Sequence, residues 1–123
     1  MINSFRDLTV WHKALTLAEH VYLATEEFPK SEAFGLTSQM RRAAVSIPSN
    51  IAEGKAISGR AYPKHLRIAL GSEAELQTQI ELAVRLKMLP QSDGKTLLGA
   101  TSEVGRMLIS LLKSLSRSDD LTT

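Results

Sequence analysis

Apolar residues recur every three or four positions through most of this 123-residue chain, and prolines and glycines divide the pattern into segments. That period is typical of amphipathic α-helices, whereas a half-buried strand alternates apolar and polar residues. Four segments carry the period, over residues 8–27, 36–56, 60–88 and 92–115. Since no stretch of useful length alternates, we expect four helices and no sheet.

Prolines and glycines set the expected helix ends. The Phe-Pro and Leu-Pro pairs at 28–29 and 89–90 end two segments, because a residue before proline avoids the helical region. Pro48 lies inside the second segment, where we expect a kink rather than a break. The glycines around 54–59 turn the chain, and the polar tail 116–123 is expected to be flexible.

The connections between the four segments are short, which favours antiparallel neighbours. We therefore predict an all-α protein, an antiparallel up-down-up-down four-helix bundle that occupies residues 1–123 as one domain. A chain of this size buries roughly two-thirds of its unfolded surface, so a hydrophobic core can form without disulfides or structural metal ions.

Composition narrows the class of protein but does not identify its function. Hydrophobic residues make up 43% and charged residues 23%, as in globular proteins, and the formal net charge is +2. The chain has no cysteine, which excludes disulfides, thiolate metal sites and a cysteine nucleophile. No membrane-spanning run and no secretory signal pattern are visible, so a cytoplasmic location is expected.

The usual signatures of enzymes are missing from this sequence. It has no P-loop, no dinucleotide-binding glycine pattern and no nucleophile elbow. Its histidines, His12, His20 and His65, are too dispersed to form a ligand pair. We expect a protein that is not an enzyme and that holds no metal and no cofactor.

A polar stripe runs along the second segment beside its apolar one. Its members recur at spacings of three and four: Gln39, Arg42, Ser46, Asn50 and Glu53. On the third segment Glu73 interrupts an apolar stripe, and burial of this carboxylate requires a partner, for which Arg42 is a candidate. These six residues indicate either a functional pocket or a structural polar network that fixes helix register, and we favour the network.

Basic residues are concentrated between positions 41 and 67, where Glu53 is the one acid. The candidates for nucleic-acid binding are Arg41, Lys55, Arg60, Lys64 and Arg67. Three of them fall on one face of the third segment, with Lys55 in the turn before it. Such a cluster can bind phosphates, and the alternative is an ordinary solvated helix face.

The third and fourth segments carry more apolar residues than a narrow stripe needs. On the third, Ile68, Leu82 and Leu86 lie off its main stripe. The apolar set of the fourth is wider than a narrow stripe and includes Leu97, Leu98, Leu108, Ile109, Leu111, Leu112 and Leu115. Two interpretations remain open, a self-association surface and a wide stripe that faces the core.

Three strings of sequence resemble a known family. They are FRDLTVW at 5–11, FGLTSQMRRAAVSIPSNIAEG at 34–54 and LRIALGSEAELQTQ at 66–79. They are similar to a bacterial family of four-helix bundles whose members are labelled 23S rRNA intervening-sequence proteins. The Tyr-Pro pair at 62–63 departs from that pattern, although proline is tolerated near a helix start.

The resemblance implies a bundle that assembles into a ring-like homopentamer. It also implies a relation to the accessory variability protein of diversity-generating retroelements, which works with a reverse transcriptase and nucleic acid. It supplies no catalytic residue. We therefore expect an oligomer that binds nucleic acid without preference for base sequence. RNA is the favoured ligand, and DNA is the other possibility. The alternative is a protein-interaction scaffold or accessory subunit for a partner such as a polymerase.

Overall fold

The computed structural model describes residues 4–122, with side chains described over 4–117. Its helices are α1 (Thr9–Thr25), α2 (Leu36–Ile57), α3 (Ala61–Arg85) and α4 (Gln91–Thr122), with single 3-10 turns at Phe5–Asp7 and Lys30–Glu32. Residues 4–122 contain no strand. The all-α prediction is confirmed.

Each helix packs against the next one in the chain, and α4 returns to pack against α1. The links between α2 and α3 (58–60) and between α3 and α4 (86–90) are too short for anything but antiparallel neighbours. The helices therefore form the expected up-down-up-down four-helix bundle. Within residues 4–122, no helix is both long and apolar enough to cross a bilayer.

The hydrophobic core lies between the four helices and consists of their predicted apolar stripes. Its fully buried large side chains are Leu17, Val21, Met40, Ile47, Ile51, Leu66, Leu76, Ile80, Val104 and Leu108. Most of the wide apolar set of α4 also packs here, and among its seven residues only Ile109, at 43% exposure, is exposed. On α4 these residues form a wide stripe that faces the core of the bundle. On α3, Ile68 and Leu82 remain exposed, as does Leu86 directly after the end of the helix.

The predicted ends of α3 and α4 are wrong by three residues or more, whereas the other helix bounds differ by at most two. The polar residues after 115 continue α4 to Thr122, because the stretch 116–122 contains neither glycine nor proline to end it. Thr123 lies outside the described residues. In contrast, α2 continues through Pro48 without a break, as expected.

The end of α3 comes at Arg85 and not at 88 as predicted, because the chain leaves the helix through a left-handed residue. Lys87 has φ 62°, its N–H donates to the Val84 carbonyl, and the Met88 N–H donates to the Ala83 carbonyl. These bonds form a Schellman motif, in which the left-handed position is usually glycine.

Replacing Lys87 with glycine is expected to stabilise the protein by about 1 kcal/mol, because glycine avoids the steric cost of the left-handed region. Chemical denaturation followed by circular dichroism measures the change. The matched control is Lys113→Gly inside α4, which is expected to destabilise by about 1 kcal/mol. Equal effects of the two substitutions would contradict this account of the α3 end.

Candidate nucleic-acid interface

The start of α3 presents three cations to solvent. Arg60 directly precedes α3, and Lys64 and Arg67 follow at spacings of four and three, so all three lie on one face. The ion pairs among the described side chains are Lys13–Glu103 and His65–Glu53, so no described carboxylate pairs with these three. Together with Lys55 they form what we name the basic cluster.

Lys55 belongs to the last turn of α2, since that helix runs to Ile57, and not to the following turn as predicted. Its Nζ lies 5.6 Å from the ring centroid of Tyr62, which is itself buried. Burial raises the pKa of the Tyr62 hydroxyl, and Lys55 makes a cation–π contact with the ring. This contact fixes Lys55 close to the start of α3.

A sharp turn brings the two helices of the cluster together. Ser58 and Gly59 have φ values of 67° and 59°, and the Ser58 N–H donates to the Gly54 carbonyl over 2.8 Å. Consecutive residues with positive φ reverse the chain within a few positions. Lys55 and Arg60 thus lie at the same end of the bundle.

Arg41 does not join the basic cluster. Its Nε donates to Thr25 Oγ1 over 2.8 Å, a terminal nitrogen donates to the Tyr22 carbonyl, and the guanidinium lies 4.5 Å from the Tyr22 ring centroid. These contacts tie α2 to the last turn of α1, where carbonyl groups lack intrahelical donors. Along α2, Arg41 is about 21 Å from Lys55 at 1.5 Å per residue.

Part of the predicted polar network is present between α2 and α3. Ser46 Oγ lies 2.9 Å from Ser72 Oγ, and Asn50 Nδ2 donates to Ser46 Oγ over 3.0 Å. Asn50 Oδ1 is 2.9 Å from Nδ1 of His65, and Glu53 Oε2 is 3.5 Å from the same nitrogen. We name this row of side chains between α2 and α3 the polar seam: it contains Ser46, Asn50, Glu53, His65 and Ser72. The spacing of polar residues along α2 did not predict its two members on α3, His65 and Ser72.

The expected Arg42–Glu73 pair is not formed. Glu73 is buried on the side of α3 that faces α4, where its carboxylate lies against Gly105 and accepts a hydrogen bond from Gln77 Nε2. Arg42 is exposed on α2, and the Gln39 side chain is likewise exposed and outside the network. The pairing failed because a stripe along α3 can face either neighbouring helix, and Glu73 faces α4 rather than α2.

A large cleft lies at the opposite end of the bundle from the basic cluster. It has a volume of about 940 Å³ and opens between the end of α1, the end of α3 and the start of α4. Leu23, Met88 and Leu97 form apolar walls, with His20 and Asp93 among its polar lining. Neither the basic cluster nor the polar seam lines this cleft. In the part of the chain described, no group of three His, Asp or Glu side chains is arranged to hold a metal ion.

Comparison with known proteins places the bundle in a family. The model of the 23S rRNA-intervening sequence protein family matches residues 6–110. The chain belongs to this family. The match includes α1, α2, α3 and most of α4, together with the polar seam and the basic cluster.

A solved structure supports the same assignment. The crystal structure of a protein of unknown function from the S23 ribosomal protein family of Bacteroides thetaiotaomicron VPI-5482 superposes with a TM-score of 0.77 at 26% identity. The alignment covers 85% of this chain and 95% of that one. No curated protein matches the chain significantly.

Proposed function

We propose that this 23S rRNA-intervening sequence family protein binds RNA through the basic cluster, by phosphate charge and without base recognition. The observation that carries the proposal is the exposed, unpaired row of Arg60, Lys64 and Arg67 beside Lys55. Cations without carboxylate partners can neutralise phosphates, and the release of condensed counterions then drives binding. On this proposal the protein is a binding protein of the cytoplasm and not an enzyme.

The choice of RNA rests on the relatives. The family description refers to 23S rRNA, and the Bacteroides protein is assigned to a ribosomal protein family. DNA remains a competitor in any binding assay, because phosphate charge is common to both.

We also propose that the protein acts as a homo-oligomer, with the pentameric ring as the expected form. Ile68, Leu82 and Leu86 support self-association, because these apolar side chains on α3 and directly after it are 43%, 45% and 56% exposed in a small bundle. Several basic clusters on one assembly raise the affinity for a long RNA through effective concentration. A basic cluster of modest affinity on each subunit is then enough for the assembly to bind a long RNA tightly.

A protein-interaction scaffold, such as an accessory subunit of a polymerase, is the second candidate function. Phe34 is fully exposed in the link between α1 and α2, and Leu23 in the last turn of α1 is 62% exposed. Large apolar side chains in such positions favour contact with another protein. This function predicts a stable complex with a protein partner and no salt-sensitive affinity for bare RNA.

Titrating labelled structured RNA with nuclease-treated protein tests the proposal. Between about 50 mM and about 300 mM salt, affinity is expected to fall at least about 100-fold, because each phosphate contact contributes roughly −0.7 to −0.9 to the logarithmic salt slope. Fluorescence anisotropy measures the dissociation constant at each salt concentration. The absence of binding at about 50 mM would overturn direct RNA binding and leave the scaffold.

A further inference from the structure

A second row of cations lies on α4, opposite the row on α3. The groove between these helices has a cleft near one end that is lined by Arg85 of α3 and Lys95 of α4. Eighteen residues make about five turns of an α-helix, so positions eighteen apart share a face. Arg67 precedes Arg85 by eighteen residues, and Lys113 follows Lys95 by eighteen. Arg67 and Lys113 therefore face the same groove towards its other end.

The register of the two helices places these rows side by side. The Glu73 carboxylate lies against Gly105, so these two residues are level across the interface. Towards the start of α3, Arg67 is about 9 Å from that level, and Lys113 is about 12 Å from it along the antiparallel α4. By the same arithmetic Arg60 is level with Arg117. The basic cluster thus continues across the groove onto α4.

The charge on this surface is of one sign. Residues 60–72 of the α3 side and 105–117 of α4 contain six basic residues and no acidic residue. The six are Arg60, Lys64, Arg67, Arg106, Lys113 and Arg117. On α4, Arg106, Lys113 and Arg117 are all exposed. Two rows of cations can contact a ligand that carries two lines of phosphates, one line to each row.

Stacking on aromatic rings cannot contribute to binding here. Tyr62 is the one aromatic residue in the two stretches, and it is 7% exposed beneath Lys55. Proteins that bind single strands depend on aromatic side chains on which successive bases stack. This surface instead matches a ligand whose bases are already paired.

We propose that the two rows bind double-stranded RNA, with Arg106, Lys113 and Arg117 contacting one strand while the basic cluster contacts the other. Double-stranded RNA presents phosphates and 2′-hydroxyl groups across a wide, shallow minor groove, which proteins recognise by shape. Two adjacent helices, with axes about 8–10 Å apart, suit that surface better than the minor groove of B-DNA, which is about 6 Å wide. This inference rests on the proposed RNA binding and adds the form of the RNA and the residues of α4.

The test compares three labelled probes: an RNA duplex of about 20 base pairs, a DNA duplex of the same sequence, and poly(U) of the same length. The duplex is longer than the roughly 16 base pairs that a domain recognising double-stranded RNA by its shape spans. The wild-type protein is expected to bind the RNA duplex at least about tenfold more tightly than either other probe. Equal or tighter binding of poly(U) or of the DNA duplex would overturn the assignment to double-stranded RNA.

Variants test the α4 row separately from the basic cluster. The double reversal Arg106→Glu/Lys113→Glu is expected to weaken duplex binding at least about 30-fold at low salt, because two phosphate contacts become repulsions. The control, Lys30→Glu/Lys87→Glu, removes the same charge at the other end of the bundle and is expected to change affinity less than threefold, which is about the effect of net charge alone. Arg106→Gln/Lys113→Gln gives an intermediate loss, and thermal melts confirm that each variant is folded.

The outcomes separate this inference from the proposed function. If the α4 variant binds the RNA duplex as the control does, while reversal of Arg60 and Lys64 removes binding, the cations of α4 do not bind RNA. The proposed role of the basic cluster is then retained. If the wild-type protein binds none of the three probes, the proposed function itself fails.

Discussion

Replacing Gly54 with valine is expected to destabilise the bundle by about 3 kcal/mol. A Cβ at this position would lie 2.9 Å from the Cβ of His65 and 3.1 Å from the carbonyl oxygen of Tyr62. Both neighbours belong to the backbone of α3 or adjoin it directly, so they cannot rotate away as the end of a flexible side chain would. The valine must instead separate α2 from α3 where the polar seam and the basic cluster begin.

Guanidinium denaturation of the valine variant measures this cost, and for a domain of this size it corresponds to a fall in Tm of about 10 °C. The matched control is Gly71→Val on α3, where an added Cβ meets nothing within 4 Å. The control is expected to remain within about 0.5 kcal/mol of the wild type, because valine and glycine differ little in helix propensity. Similar losses at both glycines would show that the close approach of α2 and α3 is not what Gly54 permits.

The helices could be predicted from the sequence because each one carries its own apolar period and is bounded by local signals. Pro90 restricts Leu89 and ends the third segment near the correct place, and the glycines near 54–59 separate α2 from α3. The errors lie where local signals are weak. Nothing in the composition of α3 indicates that Lys87 adopts the left-handed conformation, and the polar residues after 115 are as compatible with a helix as with a free tail.

The candidate site could be predicted only as far as one helix determines it. The spacing of Arg60, Lys64 and Arg67 places them on one face of α3 without any knowledge of its neighbours. The contacts of Arg41 and Glu73 could not be predicted, because they depend on which helix lies beside each residue. Arg41 contacts the last turn of α1, and Glu73 faces α4, and neither follows from periodicity. The cations of α4 were missed for the same reason, since their proximity to α3 depends on antiparallel register.

Reversing both Arg60 and Lys64 to glutamate is expected to weaken RNA binding by about 100-fold or more at low salt. An ion pair at about 4 Å contributes roughly 1 kcal/mol even in water, and reversal replaces each attraction with a repulsion of similar size. Two reversals therefore cost about 4 kcal/mol before screening, and tenfold in affinity corresponds to about 1.4 kcal/mol. Both side chains are exposed and neither forms an ion pair with a described residue, so folding should not change.

Arg41→Glu serves as a contrast to this double variant. Since Arg41 holds the last turn of α1, its reversal is expected to reduce stability while RNA affinity of the folded protein stays close to that of the wild type. A large loss of affinity without a loss of stability would return Arg41 to the binding surface.

The most direct test of RNA binding through the basic cluster is one anisotropy titration at about 50 mM salt. It compares the wild-type protein, Arg60→Glu/Lys64→Glu and the opposite-end control Lys30→Glu/Lys87→Glu, all shown to be folded by their thermal melts. We predict tight binding by the wild type and the control, and a loss of at least about 100-fold in the Arg60/Lys64 variant. Undiminished RNA binding by that variant would contradict the assignment of the binding surface to the start of α3.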